Sequence, residues 1–96
     1  MNREIIEAIE NQNVIEFTYE GETRIVEPHC YGLTTKGNEG LRAFQTGGYS
    51  SSGSMGWKMY DLGKADDIEI SDETFNGPRP GYNQGDKGMS KIYAEL

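Results

Sequence analysis

Ninety-six residues, of which only 34% are hydrophobic, leave room for one modest core and exclude a second domain. A formal net charge of −7 excludes the dense basic surface that indiscriminate binding to phosphate backbones needs, while leaving space for a local basic pocket. A single cysteine, Cys30, excludes an internal disulfide, and no segment reaches the length of a membrane span, so the cytoplasm is the expected location.

The charged start MNREIIEAIE reads as an amphipathic helix and not as a signal peptide. Asn2 is its expected cap, Glu4 lies in the first turn where the helix dipole favours an acid, and Ile5, Ile6, Ala8 and Ile9 form an apolar stripe. The helix should stop near Asn11 to Asn13. Val14 to Glu20 then alternates, with Ile15, Phe17 and Tyr19 on one face, as a half-buried strand does. Glu20-Gly21-Glu22 supplies a hairpin turn. The return strand, Thr23 to Thr35, carries Pro28 in its middle. A proline cannot donate to a ladder, so an edge position, a bulge or a sharp bend is expected there.

Lys36 to Gly40 is a loop by its turn residues. Leu41 to Gln45 follows as a strand, with Leu41, Ala43 and Gln45 on one face and Arg42 and Phe44 on the other. The Gly- and Ser-rich run from Thr46 to Gly56 cannot pack a core and is expected to be a mobile loop. Beyond it Trp57, Met59 and Asp61 alternate against Lys58, Tyr60 and Leu62, and Ala65 to Ile70 gives a last short strand. About five strands, thirteen Gly and ten aromatics (six Tyr, three Phe, one Trp) suit a small barrel or a strongly bent sheet. Phe75 to Tyr82, FNGPRPGY, should wrap the domain as an extended segment. Asp86 is read as the cap of a short final helix, whose Met89, Ile92, Tyr93 and Leu96 share one face.

Chemistry concentrates around the Gly/Ser loop. Arg42, Gln45, Tyr49, Trp57 and Lys58 stand at or near its two ends and are candidates to converge on one ligand, or else to form the edges of a small barrel. Arginine offers a planar fork for two phosphate oxygens and also stacks on bases, which singles out Arg42. Arg24 and Arg79 read as structural charges. Tyr31, Tyr49 and Trp57 are candidate stacking platforms, each with a packing role as the alternative. His29 either orients a ligand or bonds within the bend after Pro28. His29 and Cys30 should point to opposite faces of a strand, and no second histidine or CxxC completes a metal site. Serines in a mobile loop make no Ser-His-Asp site, and neither GxGxxG nor a P-loop is present. Catalysis is therefore not expected.

The order of segments resembles the WYL domain, a ligand-sensing module found mostly in bacterial transcription regulators and also as small separate proteins. The similarity spans nearly the whole chain and rests on IIEAIENQNVIEFTYEGETRIVEPH, LRAFQ and WKMYDLGKADDI. It implies a mainly β fold: a small Sm-like or SH3-like barrel of about five strands with an N-terminal helix and a short C-terminal helix, filling residues 1–96 as one domain. Two departures mark a divergent branch. Glu39, Gly40 and Leu41 occupy the family's naming motif, so only the leucine remains, and Lys64 stands near a position where the family usually has arginine. The usual winged helix-turn-helix has no counterpart here, so operator reading is not expected.

Residue pattern and resemblance together lead us to expect a non-catalytic, ligand-binding regulatory domain for a nucleotide, a single-stranded oligonucleotide or another anion. Its expected contacts are His29, Tyr31, Arg42, Gln45, Tyr49, Trp57 and Lys58, with no metal and no cofactor. The alternative is a protein-interaction or oligomerisation module acting as an accessory subunit, through homo-oligomers or docking by strand edges.

Overall fold

A computed structural model describes all 96 residues, Met1–Leu96. The helix, α1, runs from Arg3 to Asn11. The Asn2 side chain accepts hydrogen bonds from the amides of Glu4 at 2.9 Å and Ile5 at 3.2 Å, so two of the helix's orphan donors are satisfied as the sequence requires. Gln12, in the left-handed region at φ 56°, ends it. Ile5, Ala8 and Ile9 are buried, and with Ile15, Phe17, Val26, Tyr31, Leu41, Ala43 and Tyr60 they make the core.

Six antiparallel strands follow: β1 Asn13–Tyr19, β2 Glu22–Thr34, β3 Glu39–Gly48, β4 Gly56–Asp61, β5 Ala65–Thr74 and β6 Met89–Glu95. A single 3-10 turn, Leu62–Lys64, links β4 to β5. The hairpin between β1 and β2 closes on Glu20 and Gly21, both at positive φ (53° and 80°), the backbone that a two-residue turn between twisted strands demands and that glycine accepts without strain.

The path of the sheet is β4-β3-β2-β1-β5, with β6 added on β2. The thirteen-residue β2 is its spine. One edge of β2 pairs with β3 from Arg24 to Leu33. The other edge pairs with β1 up to Val26 and with β6 from Cys30 onward. Pro28, which has no N–H to leave unpaired, sits where the edge passes from one partner to the next, and the ladder to β3 shifts register between Pro28 and Cys30. Of the edge position, bulge or sharp bend expected there, the register shift makes it a bulge.

The fold is mainly β with an N-terminal helix, as expected; its six strands form an open sheet with β4 and β5 at the ends of the path. One expectation is corrected. The C-terminal helix does not form: Met89–Glu95 is a strand. Buried backbone of β2 beyond Pro28 needs hydrogen-bond partners, and a seven-residue segment containing Ile92 and Tyr93 meets that need as a strand, whereas an isolated helix so short is marginal. Phe75 to Tyr82 is irregular, as its composition requires, and crosses the face of the sheet opposite α1 through the contacts described next.

Candidate functional site

Residues directly opposite in an antiparallel pair share a face. On β3 and β4 the pairs are Arg42 with Met59 and Phe44 with Trp57 on the outer face, and Leu41 with Tyr60, Ala43 with Lys58 and Gln45 with Gly56 on the inner, core-side face. Arg42 and Trp57 are therefore separated by the sheet from Gln45 and Lys58. The five residues around the Gly/Ser loop do not converge on one ligand, because the register of a single hairpin divides them.

Each candidate has a definite place. Tyr31 is buried in the core; its hydroxyl donates to the Glu39 carboxylate and accepts from the Asn2 amide at 2.6 Å, and burial pushes its pKa up to about 12. Gln45, fully buried, uses its side-chain amide to hold the carbonyls of Gly47 at 2.9 Å and Tyr49 at 2.7 Å, so it fastens the stem of the Gly/Ser loop. That loop is shorter than the sequence suggests, since β3 runs on to Gly48. Tyr49 stands half exposed on it, against Arg24. Lys58 donates to the hydroxyls of Ser50 at 3.2 Å and Ser52 at 3.0 Å.

His29 is 0% exposed. Its Nδ1–H donates to the Glu27 carbonyl at 2.9 Å and its Nε2 accepts the Arg79 amide at 3.1 Å, a network that assigns the tautomer. The ring lies among Trp57 at 4.7 Å, Tyr82 at 5.0 Å and Phe75 at 5.6 Å. No ring nitrogen is left for a ligand. The ladder to β3 shifts register beside His29, between Pro28 and Cys30. Burial pushes the Cys30 thiol up to about 12, which makes it inert. No group of three His, Cys, Asp or Glu side chains stands close enough together to hold a metal ion.

Two clefts meet at Arg42 to form a groove, and the second also reaches Tyr19 and Tyr60 at the edge of the core-side face. The first, of about 430 Å³, lies between Arg42, Trp57 and the segment Gly81 to Lys87. Trp57 and Tyr82 are nearly parallel there, 5.9 Å apart at 23°, and the indole is fixed by its Nε1–H donating to the Pro80 carbonyl at 3.1 Å. Arg79, bidentate to Glu27 at 2.7 and 2.9 Å and 4.6 Å from the Phe44 ring, clamps the crossing segment that delivers Pro80 and Tyr82. The second, of about 380 Å³, is lined by Lys36, Asn38, Met59, Asp61, Lys64 and again Arg42. Arg42 belongs to both clefts.

Charge along the groove is uneven. Lys36, Lys64 and Lys87 form no ion pair, whereas Arg42 donates through Nε to Asp86 at 2.7 Å and through Nη2 at 3.4 Å. That guanidinium holds the Asp86 carboxyl below its ordinary range. Asp86, expected as a helix cap, is the counter-ion of the candidate arginine, and its Oδ1 also accepts the Gly88 amide at 2.8 Å. Tyr82, Asp86, Lys36, Lys64 and Lys87 come from segments far apart in sequence, so no local pattern marks them as one site. Comparison with family models, curated proteins and solved structures finds no match to this chain.

Proposed function

We propose that this chain is a non-catalytic binding domain of the WYL type that takes a nucleotide or a short single-stranded oligonucleotide in the groove centred on Arg42. The observation that carries the reading is the meeting, at one arginine, of an aromatic-walled cleft and a lysine-lined one. A base laid against Trp57 or Tyr82 gains about 1–3 kcal/mol by stacking. Arg42 then presents its fork to a phosphate, and Lys36 and Lys64 attract further negative charge beyond it. Asp86 competes for the same fork, so the ligand must share or displace it. The resemblance in sequence to a ligand-sensing family supports the same reading.

Trp57 is the only tryptophan, so its emission reports on the cleft directly. Titration of the whole chain at low salt with mononucleotides, cyclic nucleotides and short single-stranded DNA and RNA should show a saturable change with at least one of them. Arg42→Gln should weaken that binding about tenfold, near 1.4 kcal/mol. Asp86→Asn, which frees the fork, should tighten it. Flat emission with every ligand, together with an unmoved melting temperature, would count against the proposal.

The open end of the sheet at β4 favours a second reading, an interaction module that docks or oligomerises by strand addition there. Light scattering and recovery of partners from the host separate the two. A strictly monomeric chain without partners removes the second.

A further inference from the structure

Two cations on the inner face, at the end roofed by the Gly/Ser loop, are not used by the groove. Arg24 on β2 is 4% exposed. Its Nη2 donates to the Tyr19 carbonyl at 3.1 Å, and the carboxylate it pairs with, that of the exposed Glu20, is 3.6 Å away. Its Nε is buried with no hydrogen-bond partner, while the Tyr60 hydroxyl meets the same guanidinium from the core side. Native structures rarely leave such a donor unsatisfied, and each exception calls for a missing partner. The guanidinium is flanked by the rings of Tyr19 at 5.4 Å and Tyr49 at 5.3 Å, and Tyr49 is itself 49% exposed.

Lys58 reaches the same loop from β4. Its ammonium is held by two neutral oxygens, those of Ser50 and Ser52, and it forms no ion pair although the chain has sixteen acidic residues. Arg24 and Lys58 thus border the adjacent loop residues Tyr49 and Ser50. Solvation alone accounts for the lysine. It does not account for the buried Nε of the arginine.

We propose that the Gly/Ser loop roofs a second anion site, which takes a tetrahedral oxyanion: phosphate, sulfate or the terminal phosphate of a small monoester. Lys58 supplies the exposed charge. The Ser52 hydroxyl, which now accepts from Lys58, turns to donate to the anion, and that of Ser50 does so on releasing the Ser54 carbonyl, to which it donates at 2.6 Å. Arg24 becomes available when the Tyr49 ring swings aside, and the grip of Gln45 on the carbonyls of Gly47 and Tyr49 keeps the loop stem in place as it does so. The site lies across the sheet from Arg42 and stands independently of the nucleotide groove.

Calorimetric titration of the whole chain with inorganic phosphate, sulfate and glycerol phosphate, at constant ionic strength set by chloride, tests this. Low concentrations avoid the general stabilisation that excluded salts give any protein. We expect saturable binding that Lys58→Gln weakens about tenfold, the loss of one charge-assisted contact, with the melting temperature in chloride unchanged. Stronger binding of glycerol phosphate than of phosphate identifies a monoester as the ligand, and the reverse order identifies the free ion. Arg42→Gln should leave this binding intact. Phosphate that behaves as chloride does, or affinity lost in Arg42→Gln and kept in Lys58→Gln, would overturn the proposal; the latter result would move the anion to the outer groove.

Discussion

The hydrogen bonds of His29 favour its neutral form in the folded chain. Nδ1–H already donates to the Glu27 carbonyl and Nε2 already accepts the Arg79 amide, so a second ring proton would set donor against donor. Burial lowers its pKa, the charge of Arg79 lowers it further, and the carbonyl and carboxylate of Glu27 oppose both without prevailing. Between that depressed value and the unfolded value of about 6.5, the unfolded chain binds a proton that the native chain refuses, so stability rises with pH across this window. The contribution is complete above about pH 6.5 and is lost as the pH falls. The carboxyls of Glu39 and Asp86, held low chiefly by the Tyr31 hydroxyl and by Arg42 respectively, add their own losses only below about pH 4. His29 is the only histidine. The melting temperature should therefore fall as the pH drops below about 6.5, and His29→Gln should flatten that slope while lowering the whole curve. An equal slope in the variant would assign the transition to another group. A role in packing also explains why Pro28-His29 looks like a site in the sequence: a buried, doubly bonded imidazole and a ligand-orienting one need the same residue.

At the scale of elements, β6 decides how the chain ends. Gly32 on β2 faces it so closely that a Cβ there would collide with the Lys91 carbonyl. Gly32→Ala should therefore cost about 1–3 kcal/mol, the range for overpacking, read as a lower denaturant midpoint with unchanged slope. A tail packed as a helix elsewhere would leave the midpoint where it is. The elements that could be read from sequence are those fixed by near neighbours: the Asn2 cap, the alternation of β1, the Glu20-Gly21 turn, the break at Pro28 and the irregular FNGPRPGY run. Met89 to Leu96 carries apolar residues at helical spacing, and only the unpaired edge of β2, more than fifty residues away, chooses the strand. Alternation likewise set Arg42 and Gln45 on opposite faces of β3, but the pairing of Phe44 with Trp57, which decides that Trp57 joins Arg42 and Lys58 joins Gln45, is a matter of register and has no local signal. The lysines of the groove belong to separate turns and the Gly81 to Lys87 segment, so no spacing in the sequence predicts their meeting.

For the whole molecule, the excess of acid is not spread evenly. β5 holds Asp66, Asp67, Glu69, Asp72 and Glu73 within ten residues, without one cation, and it is an end strand of the sheet. Asp67, at φ 53°, lies where the ladder to β1 shifts register, which twists the edge as well as charging it. Both devices discourage strand addition. The same charge repels anions from this side of the molecule. Two β5 edges pairing in antiparallel fashion would set acids against acids, a destabilising arrangement when like charges stand directly opposite. The chain should accordingly not dimerise through β5 at neutral pH and low salt. Sedimentation velocity of the triple variant Asp66→Asn, Glu69→Gln, Asp72→Asn should reveal self-association that the wild type lacks, since the substitutions remove charge while leaving the hydrogen-bonding edge free. A wild-type dimer that the triple variant fails to strengthen would place the contact at β4, where Lys58 and the neighbouring Gly/Ser loop carry no such acidic barrier.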